Sequence, residues 1–232
     1  GLTDAQSANV IVSQRNALGG SRHDYTNHTS YRGVAGLRGD LSSHWRYDVY
    51  AQYGRTDYSS RLTGDYSLAK FAKALRAVTN SSGQIVCESV VDGTDPSCVP
   101  INLFGQGNIS PAAANFIKTR INSSQDYEQL YAGLSFNGDT SNAFSLPAGP
   151  IGFAVGAEYR AEDFAFNPSQ DLATGNLTGF NASPPVSGRF DVYEGYAELL
   201  VPLLKDLPLI KSLDLELAGR TSDYTGQPHP VK

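Results

Sequence analysis

The sequence predicts an all-β fold, a segment of an antiparallel transmembrane β-barrel. Three observations carry this expectation. Apolar and polar residues alternate with period two along several runs. Several of those runs exceed ten residues, whereas strands of globular proteins are usually about five or six. The connections between them are alternately short and long. Short turns on one side, long loops on the other and strands of about nine to eleven residues or more describe an outer-membrane barrel. The composition agrees: Tyr, Gly, Asn, Ser and Thr are abundant, as strands and turns require. The net charge of -5 argues against nucleic acid as a partner. No stretch approaches the roughly 18 apolar residues of a membrane helix, a test that strands escape.

In chain order, a weak strand is expected around Asn9–Arg15. The first clear one is "YRGVAGLRGDLS", which sets Tyr31, Ala35, Leu37 and Leu41 against Arg32, Arg38 and Asp40. After "SSH" comes "WRYDVYAQYGRTDY", with Tyr47, Val49, Ala51 and Tyr53 against Arg46, Asp48, Gln52 and Thr56, so the two read as a tight hairpin. A long connection, 59–126, contains two helix-like pieces, Ser67–Val78 and Ser110–Ile121. Ser110 suits an N-cap and Pro111 the first helical position. Alternation resumes at Tyr127–Asn137, with Leu130, Ala132, Leu134 and Phe136 on one face. Gly152–Phe166 sets Phe153, Val155, Ala157 and Tyr159 against Glu158, Arg160 and Glu162. A loop rich in Asn, Gly, Ser and Pro runs over 167–188. Phe190–Leu204 then sets Tyr193, Ala197, Leu199 and Val201 against Glu194, Tyr196 and Glu198. After a short connection, Leu213, Leu215 and Leu217 oppose Asp214, Glu216 and Arg220.

An Arg or Lys facing lipid at the bilayer midplane costs about 2–4 kcal/mol. The apolar faces are therefore expected to meet lipid. Arg38, Asp40, Glu158, Arg160, Glu162, Glu194, Glu198, Asp214, Glu216 and Arg220 are expected to line a wet interior. Short turns are then periplasmic, and the connections at 59–126 and 167–189 extracellular. The chain has neither Met nor a signal-peptide pattern. All of 1–232 is therefore expected to be a partial barrel domain cut from a longer protein.

Three segments carry a resemblance: "LPAGPIGFAVGAEYRAE" (Leu146–Glu162), "GRFDVYEGYAELLVPLL" (Gly188–Leu204) and "LDLELAGRTSDY" (Leu213–Tyr224). They resemble the middle barrel region of TonB-dependent outer-membrane receptors, above all the group found in Caulobacter-, sphingomonad- and Xanthomonas-like bacteria. "CVPINLFGQGNISPAAANFI" (Cys98–Ile117) resembles that group's long extracellular loop. The resemblance covers most of the chain, from Tyr31 to Tyr224. It implies a 22-stranded barrel around an N-terminal plug, of which about six or seven strands are present here. It also implies import of a scarce nutrient (a ferric siderophore, cobalamin or an oligosaccharide) driven through TonB, with outer-membrane lipid, the plug and TonB as partners. No plug, TonB box or terminal aromatic strand is expected in this chain. A passive porin-like barrel and a soluble β-rich binding module are the alternatives.

Candidate chemistry is sparse, and no enzyme activity or cofactor is expected. Cys87 and Cys98 could bind metal, act as a redox pair or staple a loop. Zinc needs more ligands than are near, a catalytic dithiol prefers C-x-x-C, and an extracytoplasmic loop favours a disulfide. The carboxylates facing the interior could be read as an acid/base pair, but charges paired across strands on a wet wall account for them. The four His are scattered, and the RGD at Arg38–Asp40 falls at the short-turn end of a strand. Tyr58, Tyr66, Phe71, Phe104, Phe116, Phe166 and Phe180 lie in or near the long loops. Their rings are equally suited to stack on cargo or to pack the loops' own cores. No P-loop, GxGxxG, HExxH or GxSxG motif is present.

Overall fold

Strands β1 (His23–Ser42) and β2 (Trp45–Tyr66) form the expected hairpin, turning at Ser43 and His44. An insertion follows, comprising α1 (Leu68–Leu75), β3 (Ala77–Thr79), β4 (Ile85–Cys87), α2 (Glu88–Val91) and α3 (Pro111–Ile117). Strand β5 (Lys118–Asp139) leads through a 3-10 turn, Thr140–Asn142, to β6 (Gly152–Pro168). Helix α4 (Gln170–Thr174) precedes the last hairpin, β7 (Val186–Leu207) and β8 (Ile210–Thr225). This computed structural model describes residues 20–226, so the strand expected at Asn9–Arg15 lies outside the described residues. No described helix is long and apolar enough to cross a membrane, which bears only on helices.

The long strands form one six-stranded sheet in the order β1-β2-β5-β6-β7-β8, and β3 and β4 form a separate small antiparallel pair. The six-stranded sheet is open, with β1 and β8 as its edges among the described residues. Strand length departs from the sequence reading. β2 continues beyond Ser59 to Tyr66, and β5 begins at Lys118 rather than near Tyr127. Ser59, Ser60, Asn122, Ser123 and Ser124 are polar on both faces of these extensions, so no period-two hydropathy marks them. The last turn is also tighter than expected. It reverses at Pro208 and Leu209, with Asp206 and Leu209 at φ 53° and 72°. Non-glycine residues rarely adopt this left-handed region, which only a tight reversal demands here.

Register fixes which residues share a face. Glu158 lies opposite Glu194, and Glu194 opposite Ser222; Phe153 lies opposite Leu199, and Leu199 opposite Leu217. Because alternate residues point to opposite sides, one face carries Glu158, Arg160, Glu162, Glu194, Glu198, Asp214, Glu216 and Arg220. The other carries Phe153, Val155, Ala157, Tyr159, Tyr193, Ala197, Leu199, Leu215 and Leu217.

The described residues divide into two compact units. The sheet unit comprises 28–58, 125–166 and 186–226, and its apolar side chains stay largely uncovered; Leu37, for example, is 73 % exposed. The loop unit comprises 20–27, 59–124 and 167–185 and has a true core. Tyr66, Ala74, Ile101, Ile109, Ala113, Ala114 and Ile117 are buried together, with Phe71, Val99, Leu103 and Phe116 packed around them. Helix α1 starts at Ser67, whose hydroxyl accepts from Lys70 N; α3 starts at Ser110, whose hydroxyl accepts from Ala113 N, with Pro111 leading. Each cap satisfies one of the backbone donors that a helix start leaves free.

Candidate functional site

The sheet unit's charged face gathers part of the expected constellation. Arg220 Nη2 donates to Glu194 Oε2 at 2.7 Å and to Glu158 Oε2 at 3.1 Å. Ser222 Oγ donates to Glu194 Oε1 at 2.6 Å. Two carboxylates placed directly opposite would repel, and the shared guanidinium offsets that. The next rungs continue with polar groups. Arg160 pairs with Glu162 at 3.6 Å, Gln129 Nε2 donates to Glu162 at 3.1 Å, and Gln52 Nε2 donates to Gln129 at 3.1 Å. Tyr50 and Tyr131 stack at 5.3 Å. Glu198, Asp214 and Glu216 share this face but take no part in the network among the described residues. Asp40 pairs instead with Arg46 at 2.9 Å, in a dent that Arg38 also lines. The arrangement can hold polar groups or water along a wall through paired charges. The described residues contain no group of three His, Cys, Asp or Glu able to hold a metal ion.

The opposite face is bounded by aromatic rings. Trp45, Phe136 and Phe153 form a row, 5.9 Å and 5.6 Å between successive centroids. Tyr31 meets Tyr53 at 6.3 Å, and Tyr159 meets Tyr193 at 4.9 Å. From Trp45 to Tyr53, β2 advances about 26 Å at roughly 3.3 Å per residue. The next side chain of that face is charged: Arg55 binds Asp57 at 2.8 Å, Asp126 at 3.4 Å and Glu128. On β7 the apolar run likewise stops at Tyr193, after which Arg189 pairs with Asp191 at 3.2 Å. These boundary charges escaped the sequence reading. Arg55 and Asp57 continuing the parity of Tyr53 were the available signal.

In the loop unit, Cys87 and Cys98 form a disulfide with Cα atoms 6.0 Å apart. Both cysteines are buried. The segment they close is tied to α1 through Lys73 and braced by its own short-range bonds. Lys73 Nζ donates to Asp95 Oδ2 at 2.8 Å, Asp95 Oδ1 accepts from Ser97 Oγ at 2.7 Å, and Asp92 Oδ1 accepts from Thr94 N at 2.8 Å. Bonding to Lys73, then to Ser97, holds the Asp95 carboxyl below its ordinary range. Bonding to Thr94 does the same for Asp92. Beyond Cys98, Ile101 N donates to Ala74 O at 2.9 Å, so the closed segment is anchored on α1.

The candidate loop aromatics separate by burial. Tyr66 is buried in the core, with Phe71 and Phe116 packed on it, so these rings serve the loop's own packing. Phe104 is 71 % exposed and Phe180 is also exposed, whereas Tyr58 is half-buried beside His28, with ring centroids 6.4 Å apart. Asp65 is fully buried, and the sequence reading passed over it. Its Oδ1 accepts from Arg22, Thr178 Oγ1 and Tyr66 N. The closing turn Asn176–Thr178 is thereby fastened to the end of β2. Compared with known proteins, the chain matches no family model, and no curated protein matches it.

Proposed function

We propose that the chain is a wall segment of a TonB-dependent outer-membrane receptor that takes up a ferric siderophore, cobalamin or oligosaccharide. The observation that carries this reading is the uncovered apolar face, bounded by aromatic rings and backed by a charged face. About a dozen large apolar side chains there, each roughly half exposed, would forgo about 1 kcal/mol apiece in water, on the order of 12 kcal/mol in all. That equals the whole net stability of a typical domain, about 5–15 kcal/mol. Lipid removes the difficulty. Tilted about 40°, the stretch of β2 from Trp45 to Tyr53 spans about 20 Å, near the roughly 25 Å apolar band of outer-membrane barrels. The aromatic rows then sit at the two interfaces.

In this reading the turns at Ser43 and Pro208 are periplasmic, and the disulfide-closed insertion is extracellular. The charged face meets the water-filled interior. The open edges β1 and β8 pair with further strands of the receptor, because lipid tolerates no unpaired strand edge. Uptake is tested in the source bacterium by deleting the gene and restoring it. TonB-dependent uptake of one nutrient class that returns with the gene supports the reading. Uptake that persists after the proton gradient is collapsed would make the protein a passive porin-like pore. A stable, detergent-free monomer would make it a soluble β-rich module.

A further inference from the structure

The loop unit contains a cleft of about 660 Å³ whose chemistry nothing above uses. Its walls come from the first residues of β1 and β5 and the last of β2 and β6, with Ser169 beyond. Asn27, Asn122 and Asn167 supply amides, and Ser59, Ser124 and Ser169 supply hydroxyls. No carboxylate lines it. Ser169 N donates to Asn122 O at 2.7 Å, which fixes the floor, yet Ser169 Oγ is buried and has no hydrogen-bond partner among the described residues. That hydroxyl does not cap α4, which it precedes. At one wall Tyr25 is 55 % exposed, and the Arg61 guanidinium lies over its ring, 5.1 Å from the centroid.

We infer that this cleft binds a neutral saccharide. Amides and hydroxyls each donate and accept, which matches a ligand dense in vicinal hydroxyls that do the same. Tyr25, 55 % exposed beneath Arg61 and 6.2 Å from the His23 ring, offers a pyranose the apolar ring surface that these two neighbours leave uncovered. Other ligand classes fit less well. A phosphate would call for several cations, and Arg61, the only one lining the cleft, already lies over Tyr25. A peptide adding to a sheet needs an unpaired strand edge. Of the strands that line the cleft, β2, β5 and β6 each have a neighbour on both sides, and β1, an edge among the described residues, gives the wall only its first residues. The volume falls within the roughly 300–1,000 Å³ of small-molecule sites and admits a short oligosaccharide. This inference stands apart from the uptake reading, because the cleft could bind sugar whether or not the protein transports anything.

The test applies the detergent-solubilised protein to an array of neutral oligosaccharides, with positive spots followed by calorimetry. A second arm measures binding to phospholipid vesicles with and without glycolipid. Tyr25→Ala and Asn122→Ala should each weaken binding about tenfold or more, while Tyr25→Phe keeps it. Both altered side chains are exposed, so folding should survive, and an intact Cys87–Cys98 disulfide with unchanged circular dichroism checks that. Binding to free oligosaccharides with this variant pattern supports a soluble sugar as the source. Binding only to glycolipid vesicles, with the same pattern, supports a membrane headgroup. No saccharide bound in either arm, or binding that the variants leave unchanged, overturns the inference. Sugar binding without nutrient uptake would leave this site standing and refute only the transport reading.

Discussion

Val49 and Tyr50 are adjacent on β2, similarly exposed at 42 % and 38 %, and on opposite faces. Replacing each with Arg separates a membrane wall from a soluble sheet. Val49 lies midway between Trp45 and Tyr53, the aromatic residues that bound its face on this strand. If the sheet is a membrane wall, Val49→Arg puts a guanidinium near the bilayer midplane, at a cost of about 2–4 kcal/mol. That is a fall of about 30- to 700-fold in the folding equilibrium constant. Tyr50→Arg loses the stack on Tyr131, worth about 0.5–1.5 kcal/mol, and leaves its charge in water. The assay is reversible unfolding of the protein, with whatever strands flank this segment, in phosphocholine vesicles with guanidinium, followed by emission of Trp45, the only tryptophan of these 232 residues. Val49→Arg should be the more destabilised, by about 0.5–3.5 kcal/mol. Equal costs, or a greater cost for Tyr50→Arg, would refute the assignment of faces.

Other consequences follow from the same contacts. Replacing both Cys87 and Cys98 with Ser should cost roughly 3 kcal/mol in the chain-entropy model, seen as faster hydrogen exchange and proteolysis over 88–98. No thiol of these 232 residues should react without reductant, since both cysteines are bonded. Because the Asp95 carboxyl is held below its ordinary range, its contribution is fully present above the unfolded carboxyl's range. It is lost as pH falls through the lowered value. Protection over 88–98, taken relative to the intrinsic exchange rate at each pH, should therefore fall as pH drops below about 4, and Asp95→Asn should flatten that component. Arg220→Ala leaves Glu158 opposite Glu194 without their shared cation. It should lower thermal stability, and adding Glu158→Gln should restore part of the loss, a rescue that simple truncation of packing would not show.

Sheet topology was legible wherever one face is apolar. Phe153, Val155, Ala157 and Tyr159 alternate with Glu158 and Arg160, and the register keeps those sets on opposite sides. The signal vanished at Ser59–Tyr66 and Lys118–Asp126, where serines and asparagines fall on both faces and the few apolar residues, Leu62, Tyr66 and Ile121, are too sparse to set a period of two. Helix starts were legible through Ser110 and Pro111. The end of α1 was not: the helical pattern runs on to Val78, but Ala77–Thr79 pairs with Ile85–Cys87 instead. Strands this short gain their stability from tertiary contacts such as the disulfide, which local propensity does not report. The burial of Tyr66 and the polar cleft depend on residues far apart in sequence, and no local pattern announces them; of the Arg55 cluster only Arg55 and Asp57 stand close enough to be read locally.

The central claim is that one face of the sheet meets lipid and the other meets water. Nitroxide labels placed singly at positions 46–52 of β2 test it in vesicles, and the bonded Cys87 and Cys98 do not compete for the label without reductant. Labels at Tyr47, Val49 and Ala51 should be reached preferentially by oxygen, which partitions into lipid. Labels at Asp48, Tyr50 and Gln52 should be reached by a water-soluble nickel chelate. Nickel access without this two-residue alternation would contradict the account.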